Sequence, residues 1–285
     1  GVAIVTPFDE NGVNYDALGA LIDDQISHGT DAIIVCGTTG EASTMPDEEH
    51  LSVIEFAVAK TAGRIPVIAG AGSNDTAHGT ELCKKASRLR VDGMLLVTPY
   101  YNKATQNGLI RMFTDLADYS PKPIILYNVP SRTGINIEPA TYEALADHEN
   151  IVAIKEANGN LSKIVETMAR VRGRLDLYSG NDDQIVPLLS LGGKGVISVL
   201  SNLLPAETVE MCNCFFDGDI EKSADMQCHY HALISALFSE VNPIPVKAAM
   251  AAMGFCRDYL RLPLTPMEEA HRAQLLALMR AEKLI

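Results

Sequence analysis

Eight short apolar runs recur along the first 200 residues, at 2–5, 32–35, 66–68, 94–97, 123–127, 151–154, 175–178 and 196–199. Most are continuous rather than alternating, the pattern of strands buried on both faces of a parallel sheet. Helical periodicity fills the gaps. Leu109, Met112, Phe113 and Leu116 fall at i, i+3, i+4 and i+7, as do Leu161, Ile164, Val165 and Met168. Strand-to-strand spacings of about 20 to 35 residues leave room for one crossover helix each. Eight such units predict a (β/α)8 TIM barrel. A doubly wound nucleotide-binding sheet is the rival, but its signals are missing. Gly70-Ala71-Gly72 runs on to Ser73-Asn74-Asp75, and Gly192-Gly193-Lys194-Gly195 lacks the P-loop spacing. After Phe216-Asp217-Gly218-Asp219 the strand signals stop, and helical stretches are expected at 221–238, 245–255 and 266–283. The last opens on Thr265-Pro266-Met267-Glu268, which reads as a capping box. The expected organisation is a catalytic barrel over 1–218 and a C-terminal three-helix appendix over 219–285.

Composition narrows the function. The 285 residues carry 23 Lys+Arg against 36 Asp+Glu, a net charge of −13. A surface that acidic repels phosphate backbones, so no nucleic-acid partner is expected. With 47% apolar and 21% charged residues the chain can build a large core. The apolar runs are strand-sized, too short for a membrane span. The opening segment has no basic region and meets Asp9-Glu10 at once, unlike a signal peptide. Six cysteines form no C-x-x-C pair, which suits a cytoplasmic chain without disulfide staples. Cys212, Cys214, Cys228, His229 and His231 cluster in sequence, but residues two apart on a helix point to different faces, so no metal site is expected there.

In such barrels chemistry sits where strands end. Lys155 is the anomaly: of eleven lysines, it alone follows four apolar residues of a predicted buried strand. Burial lowers the pKa of an ammonium, and a neutral lysine amine condenses with ketones to a Schiff base. The plainer alternative is a lysine that reaches past the strand end to pair with Glu156 or another carboxylate. Thr38, Thr39, Tyr100, Tyr101 and Tyr127 crowd the same rim, and imine chemistry needs such proton donors and acceptors. No histidine and no carboxylate cluster occupies the strand ends, which favours lysine chemistry over a metal. Arg132 follows strand five in a loop ending at Gly134. It is either a clamp for a substrate carboxylate or a surface arginine.

Four segments stand out together: Gly37-Thr38-Thr39-Gly40-Glu41, Tyr127-Asn128-Val129-Pro130-Ser131-Arg132-Thr133-Gly134, Ile154-Lys155-Glu156-Ala157 and Asn242-Pro243-Ile244-Pro245-Val246-Lys247. Through them the chain resembles the dihydrodipicolinate synthase family, also called the 4-hydroxy-tetrahydrodipicolinate synthases. The first and third are shared with other pyruvate-dependent lyases; Ser131-Arg132-Thr133-Gly134 is the discriminating part. The resemblance spans essentially the whole chain. It implies a lyase of lysine (diaminopimelate) biosynthesis that condenses pyruvate with L-aspartate 4-semialdehyde, without cofactor or metal, assembled as a homotetramer or sometimes a dimer. Lys155 is then the Schiff-base residue, and Tyr127, Thr38 and Tyr101 are the proton relay, with Tyr101 reaching into a neighbouring subunit. Thr39 and the Ile197 backbone are implied to bind pyruvate, and Arg132 the carboxylate of the semialdehyde. N-acetylneuraminate lyase and sugar-acid aldolases share the lysine and tyrosine but resemble the Arg132 loop poorly. A ligand-sensing barrel that had lost catalysis would show a broken site, whereas each matched catalytic position here keeps the expected residue type. Some members are inhibited by lysine through an interface pocket. The matching positions are Ala42, Ser43, Asp47, His50, Asn74, His78 and Tyr100. His50, Asn74 and Tyr100 fit the sensitive pattern. Asp47 stands where sensitive members carry histidine, and His78 where they carry a glutamate.

Overall fold

Every apolar run forms a strand in the computed structural model, which describes residues 1–285. The strands are β1 (Val2–Ala3), β2 (Phe8–Asp9), β3 (Gly12–Val13), β4 (Ile33–Val35), β5 (Val67–Gly70), β6 (Gly93–Val97), β7 (Ile124–Asn128), β8 (Ile151–Glu156), β9 (Asp176–Ser179) and β10 (Gly195–Val196). Leaving aside the β2–β3 hairpin, eight strands take successive places in one sheet, in the order β1-β4-β5-β6-β7-β8-β9-β10. With helices between them this is the expected (β/α)8 barrel. No helix is long and apolar enough to cross a membrane.

Two compact units make up the chain. The first joins Gly1–Ile65 to Ser198–Ile285. In it β1 runs parallel to β4 through Val2–Ile33 and Ala3–Ile34, and Val2 also bridges Ser198. Ile4, Leu18, Ile22, Ile33, Ile34 and Ile54 are fully buried in its core. Asn14 starts the helix Tyr15–Ser27 by accepting a hydrogen bond from the Ala17 N–H (2.9 Å). The β2–β3 hairpin was not legible beforehand, because two-residue strands carry no period. Its turn closes through Asn11 N–H to Asp9 Oδ1 (2.8 Å) and a left-handed Gly12 (φ +121°).

The C-terminal stretches of this unit appear as four helices: Ile220–His229, His231–Leu237, Ile244–Ala252 and Glu269–Ala281. The first expected stretch is interrupted at Tyr230, which ends one helix and starts the next. The final helix begins at Glu269, and its cap residue Glu268 makes no side-chain cap bond. The Glu268 N–H goes instead to Glu240 Oε1 (3.0 Å), so a tertiary carboxylate replaces the expected capping box. Cys212, Cys214 and Cys228 form no disulfide, and His229 faces Glu282 at 3.0 Å.

The second unit is Pro66–Ile197. Its strands pair in parallel, and the register aligns Val97 with Tyr127, Tyr127 with Lys155, and Lys155 with Tyr178. The helix Gln106–Tyr119 buries Leu109, Met112, Phe113 and Leu116, as its periodicity predicts. The helix Leu161–Val171 differs in detail. It buries Ile164, Thr167, Met168 and Val171, while Leu161 and Val165 lie exposed.

Candidate active site

Side chains alternate along β8, so Lys155 and Glu156 leave the strand on opposite faces. Glu156 is therefore not the partner of Lys155. Its carboxylate receives the Tyr142 hydroxyl, the Asn128 amide and the Asn158 N–H, each at 2.9 Å. Lys155 instead lies on the face shared with its register neighbours. It is buried to 5% exposure, with Nζ 4.3 Å from the centre of the Tyr127 ring. No carboxylate forms an ion pair with it. Burial pushes its amine down to about 8, Asp182 works against that shift, and the Arg132 guanidinium adds to it. At pH 7.5 roughly a quarter of such amines are unprotonated, against about a thousandth of ordinary lysines. An amine in the unprotonated state can act as a nucleophile.

A second buried lysine gives the contrast. Lys247, in the helix Ile244–Ala252, is fully buried, but its ammonium is ion-paired with Glu41 and donates to the Tyr259 carbonyl (3.0 Å). An ammonium so held is committed to structure.

The loop after β7 carries Arg132 on a single helical turn, Pro130–Thr133, closed by a left-handed Gly134 (φ +69°). Arg132 itself is exposed. The ends of the loop are pinned by a polar network the sequence did not announce. Asn128 Nδ2 donates to Asn136 Oδ1 (2.8 Å) as well as to Glu156, and Asn128 Oδ1 accepts from the Ile137 N–H (3.1 Å). Gln106 Oε1 accepts from the Glu138 N–H (3.0 Å) and the Thr141 hydroxyl (2.6 Å). Thr133 meets the Thr98 hydroxyl at 3.1 Å. Nearby on the rim, Tyr100 is partly exposed and Tyr101, with φ +71°, is 92% exposed. Ile197 is buried, and its N–H is engaged by the Ser179 carbonyl (2.8 Å).

In the other unit, Thr38 and Thr39 sit in the turn that follows β4. Thr38 is half-buried; Thr39 is buried, and its hydroxyl accepts from Asn242 Nδ2 at 3.0 Å. Of the remaining positions singled out from sequence, Ala42 and Ser43 lie in the short 3-10 turn Ala42–Thr44. Asp47 opens the helix Asp47–Thr61, and His50 is buried within it. Asn74 donates to the Tyr100 carbonyl (3.1 Å), and His78 meets the Ser73 hydroxyl at 3.1 Å.

Glu156 has its own pH signature. Burial raises its carboxyl from the usual 4.5 to about 7, despite the donors around it. The native chain then holds this proton more tightly than the unfolded chain does. The contribution of Glu156 to stability is accordingly greatest below about pH 4.5 and declines as pH climbs to 7, by up to about 3 kcal/mol. Glu156→Gln keeps the shape and can still serve Asn128, Asn158 and Tyr142. Its Tm is expected to exceed that of the parent by a few degrees at pH 7.5, with the gap closing at pH 4.5. An equal shift at both pH values contradicts this account.

Comparison with known proteins gives a consistent answer. The Dihydrodipicolinate synthetase family matches residues 1–282. A 4-hydroxy-tetrahydrodipicolinate synthase of Caldicellulosiruptor bescii is 57% identical over 273 residues, covering 95% of this chain and 92% of that one. The solved dihydrodipicolinate synthase of Aquifex aeolicus superposes with a TM-score of 0.97 at 45% identity, covering 99% and 97% of the two chains. That of Cyanidioschyzon merolae, solved with lysine bound, gives 0.96 at 41% identity, covering 100% and 97%.

Proposed function

The chain belongs to the dihydrodipicolinate synthetase family, and on that footing we propose that it condenses pyruvate with L-aspartate 4-semialdehyde, with the Lys155 amine as nucleophile. The activity is that of a 4-hydroxy-tetrahydrodipicolinate synthase, a lyase reaction of lysine (diaminopimelate) biosynthesis. The observation that carries the assignment to Lys155 is a buried amine brought down to about 8, with a phenol ring against it and no carboxylate ion-paired to it.

The amine adds to the C2 carbonyl of pyruvate, and loss of water leaves an iminium on Lys155. A proton leaves the methyl carbon, and the resulting enamine attacks the aldehyde carbon of the second substrate. The amino group of that substrate then adds to C2, expelling the lysine amine and closing the ring of 4-hydroxy-tetrahydrodipicolinate. Every step moves a proton, the work assigned to Tyr127, Thr38 and Tyr101. Thr39 and the Ile197 backbone bind pyruvate; with its N–H engaged by Ser179, Ile197 has its carbonyl to offer. Arg132 takes the carboxylate of the semialdehyde in a charge-assisted pair. A coupled assay tests the reading. Turnover is expected with pyruvate and aspartate semialdehyde, and none with pyruvate and N-acetylmannosamine; the reverse result refutes it.

The proposed setting is a cytoplasmic homotetramer. A tyrosine 92% exposed at the rim supports a partner subunit that receives Tyr101. Inhibition by L-lysine is expected to be weak or absent. His78 replaces the glutamate that meets the inhibitor's ammonium in sensitive members, and losing a charge-assisted hydrogen bond costs about 1.5–3 kcal/mol, ten- to a hundredfold in affinity. Asp47 offsets part of this only if its carboxylate reaches the same ammonium. Half-inhibition of the initial rate below about 1 mM lysine, a binding free energy near −4 kcal/mol, contradicts the expectation.

A further inference from the structure

The turn that carries Thr38 and Thr39 is bounded by two non-glycine residues in the left-handed region, Cys36 (φ +55°) and Glu41 (φ +53°). Backbone of that kind is costly and persists only where its surroundings over-determine it. Part of the restraint is local. Gly40 N–H donates to the Gly37 carbonyl and Glu41 N–H to the Thr38 carbonyl, both at 3.1 Å, and the Thr6 hydroxyl donates to the Gly40 carbonyl at 2.7 Å. A Cβ at position 40 would come 3.1 Å from the Cys36 nitrogen, so the turn is tight.

The rest comes from more than 200 residues away. Asn242 donates to the Thr39 hydroxyl, and Lys247 pairs with the Glu41 carboxylate. The Arg261 N–H reaches the other oxygen of Glu41 at 3.3 Å. The Lys247 ammonium also donates to the Tyr259 carbonyl and stands 4.4 Å from the centre of the Phe8 ring. Both members of the pair are essentially without solvent contact. A buried ion pair is a weak source of net stability, since apolar residues of the same shape often serve as well. What it does supply is direction.

We propose that the segment 242–247 is a positioning clamp on the pyruvate-binding turn, with Asn242 holding the Thr39 hydroxyl and Lys247 gripping the Glu41 carboxylate at the far end of the turn. This rests on the reading of Thr39 as a pyruvate-binding residue. It gives a role to Asn242-Pro243-Ile244-Pro245-Val246-Lys247, a motif the reaction itself leaves unused. Asn242 and Lys247 are positioning residues here and touch no reacting atom.

The double variant Glu41→Gln/Lys247→Met removes both charges together, so neither is left buried alone. It is expected to keep a Tm within a few degrees of the parent while the KM for pyruvate rises about tenfold, and borohydride trapping at subsaturating pyruvate slows in proportion. Asn242→Ser, which leaves the ion pair intact, is expected to raise the same KM, and it decides alone if the double variant does not fold. Thr39→Val is the control. If it leaves the pyruvate KM unchanged, the reading of Thr39 fails. If it raises the KM while the folded double variant and Asn242→Ser both keep the parent value, the clamp is overturned.

Discussion

Borohydride added with pyruvate is expected to leave one reduced adduct on the peptide that contains Lys155, and Lys155→Met to abolish both labelling and turnover. Removing the nucleophile takes away the covalent route, so the loss in kcat is expected to be at least about four orders of magnitude, over 5 kcal/mol of barrier. An amine near 8 also fixes the pH dependence. The trapping rate should climb as pH rises from 6.5 to about 8 and level off above it. Stability moves in the same direction as activity, over a higher pH window. Because the folded pKa lies below the ordinary 10.5, the unfolded chain binds the proton more tightly between pH 8 and 10.5, and stability rises with pH across that window. Below pH 8 the native chain carries the full penalty of a buried ammonium, up to about 3 kcal/mol. Lys155→Met lifts that penalty, so the inactive variant should melt no lower than the parent at pH 7. An adduct on Lys247 or Lys194 would falsify the assignment. So would a variant that keeps its rate.

The burial of Lys155 was legible because the anomaly was local: a cation at the end of an apolar strand run needs only the neighbouring residues to be noticed. The barrel was legible for the same reason, since a buried parallel strand announces itself as an uninterrupted apolar run. What stayed hidden depends on partners far along the chain. Lys247 sits in a helix where a lysine ordinarily faces water, and only the fold brings it to Glu41. Glu156, next to Lys155 in sequence, invited pairing with it, but strand alternation sends it to Tyr142 and Asn128 instead. The helix Leu161–Val171 shows how a broad apolar stripe overstates burial. Leu161 and Val165 fit the i, i+4 pattern, yet the buried face is centred on Ile164, Thr167 and Met168. The start at Glu269 rather than Pro266 has a tertiary cause as well, since the carboxylate of Glu240 takes both the Glu268 N–H and the His271 ring.

Arg132→Ala is expected to separate the two substrates. Its guanidinium is exposed on a turn whose ends are pinned by Asn128, Gln106 and Thr133, so truncating it should leave the fold intact. If it binds the carboxylate of aspartate semialdehyde, the variant raises the KM for that substrate and lowers kcat/KM by about 2–4 kcal/mol, roughly thirtyfold to a thousandfold. Schiff-base formation precedes the second substrate, so trapping with pyruvate alone should persist. It should not be wholly unchanged. The guanidinium helps hold the Lys155 amine down, so its loss moves the midpoint of the trapping profile to higher pH. At pH 7 trapping becomes slower, and at pH 9.5 it matches the parent. The two effects come from one charge but are read on different substrates. An arginine serving only the second carboxylate, far from the amine, would shift the KM and leave the profile in place. Loss of trapping at every pH in a folded variant would instead assign Arg132 to pyruvate.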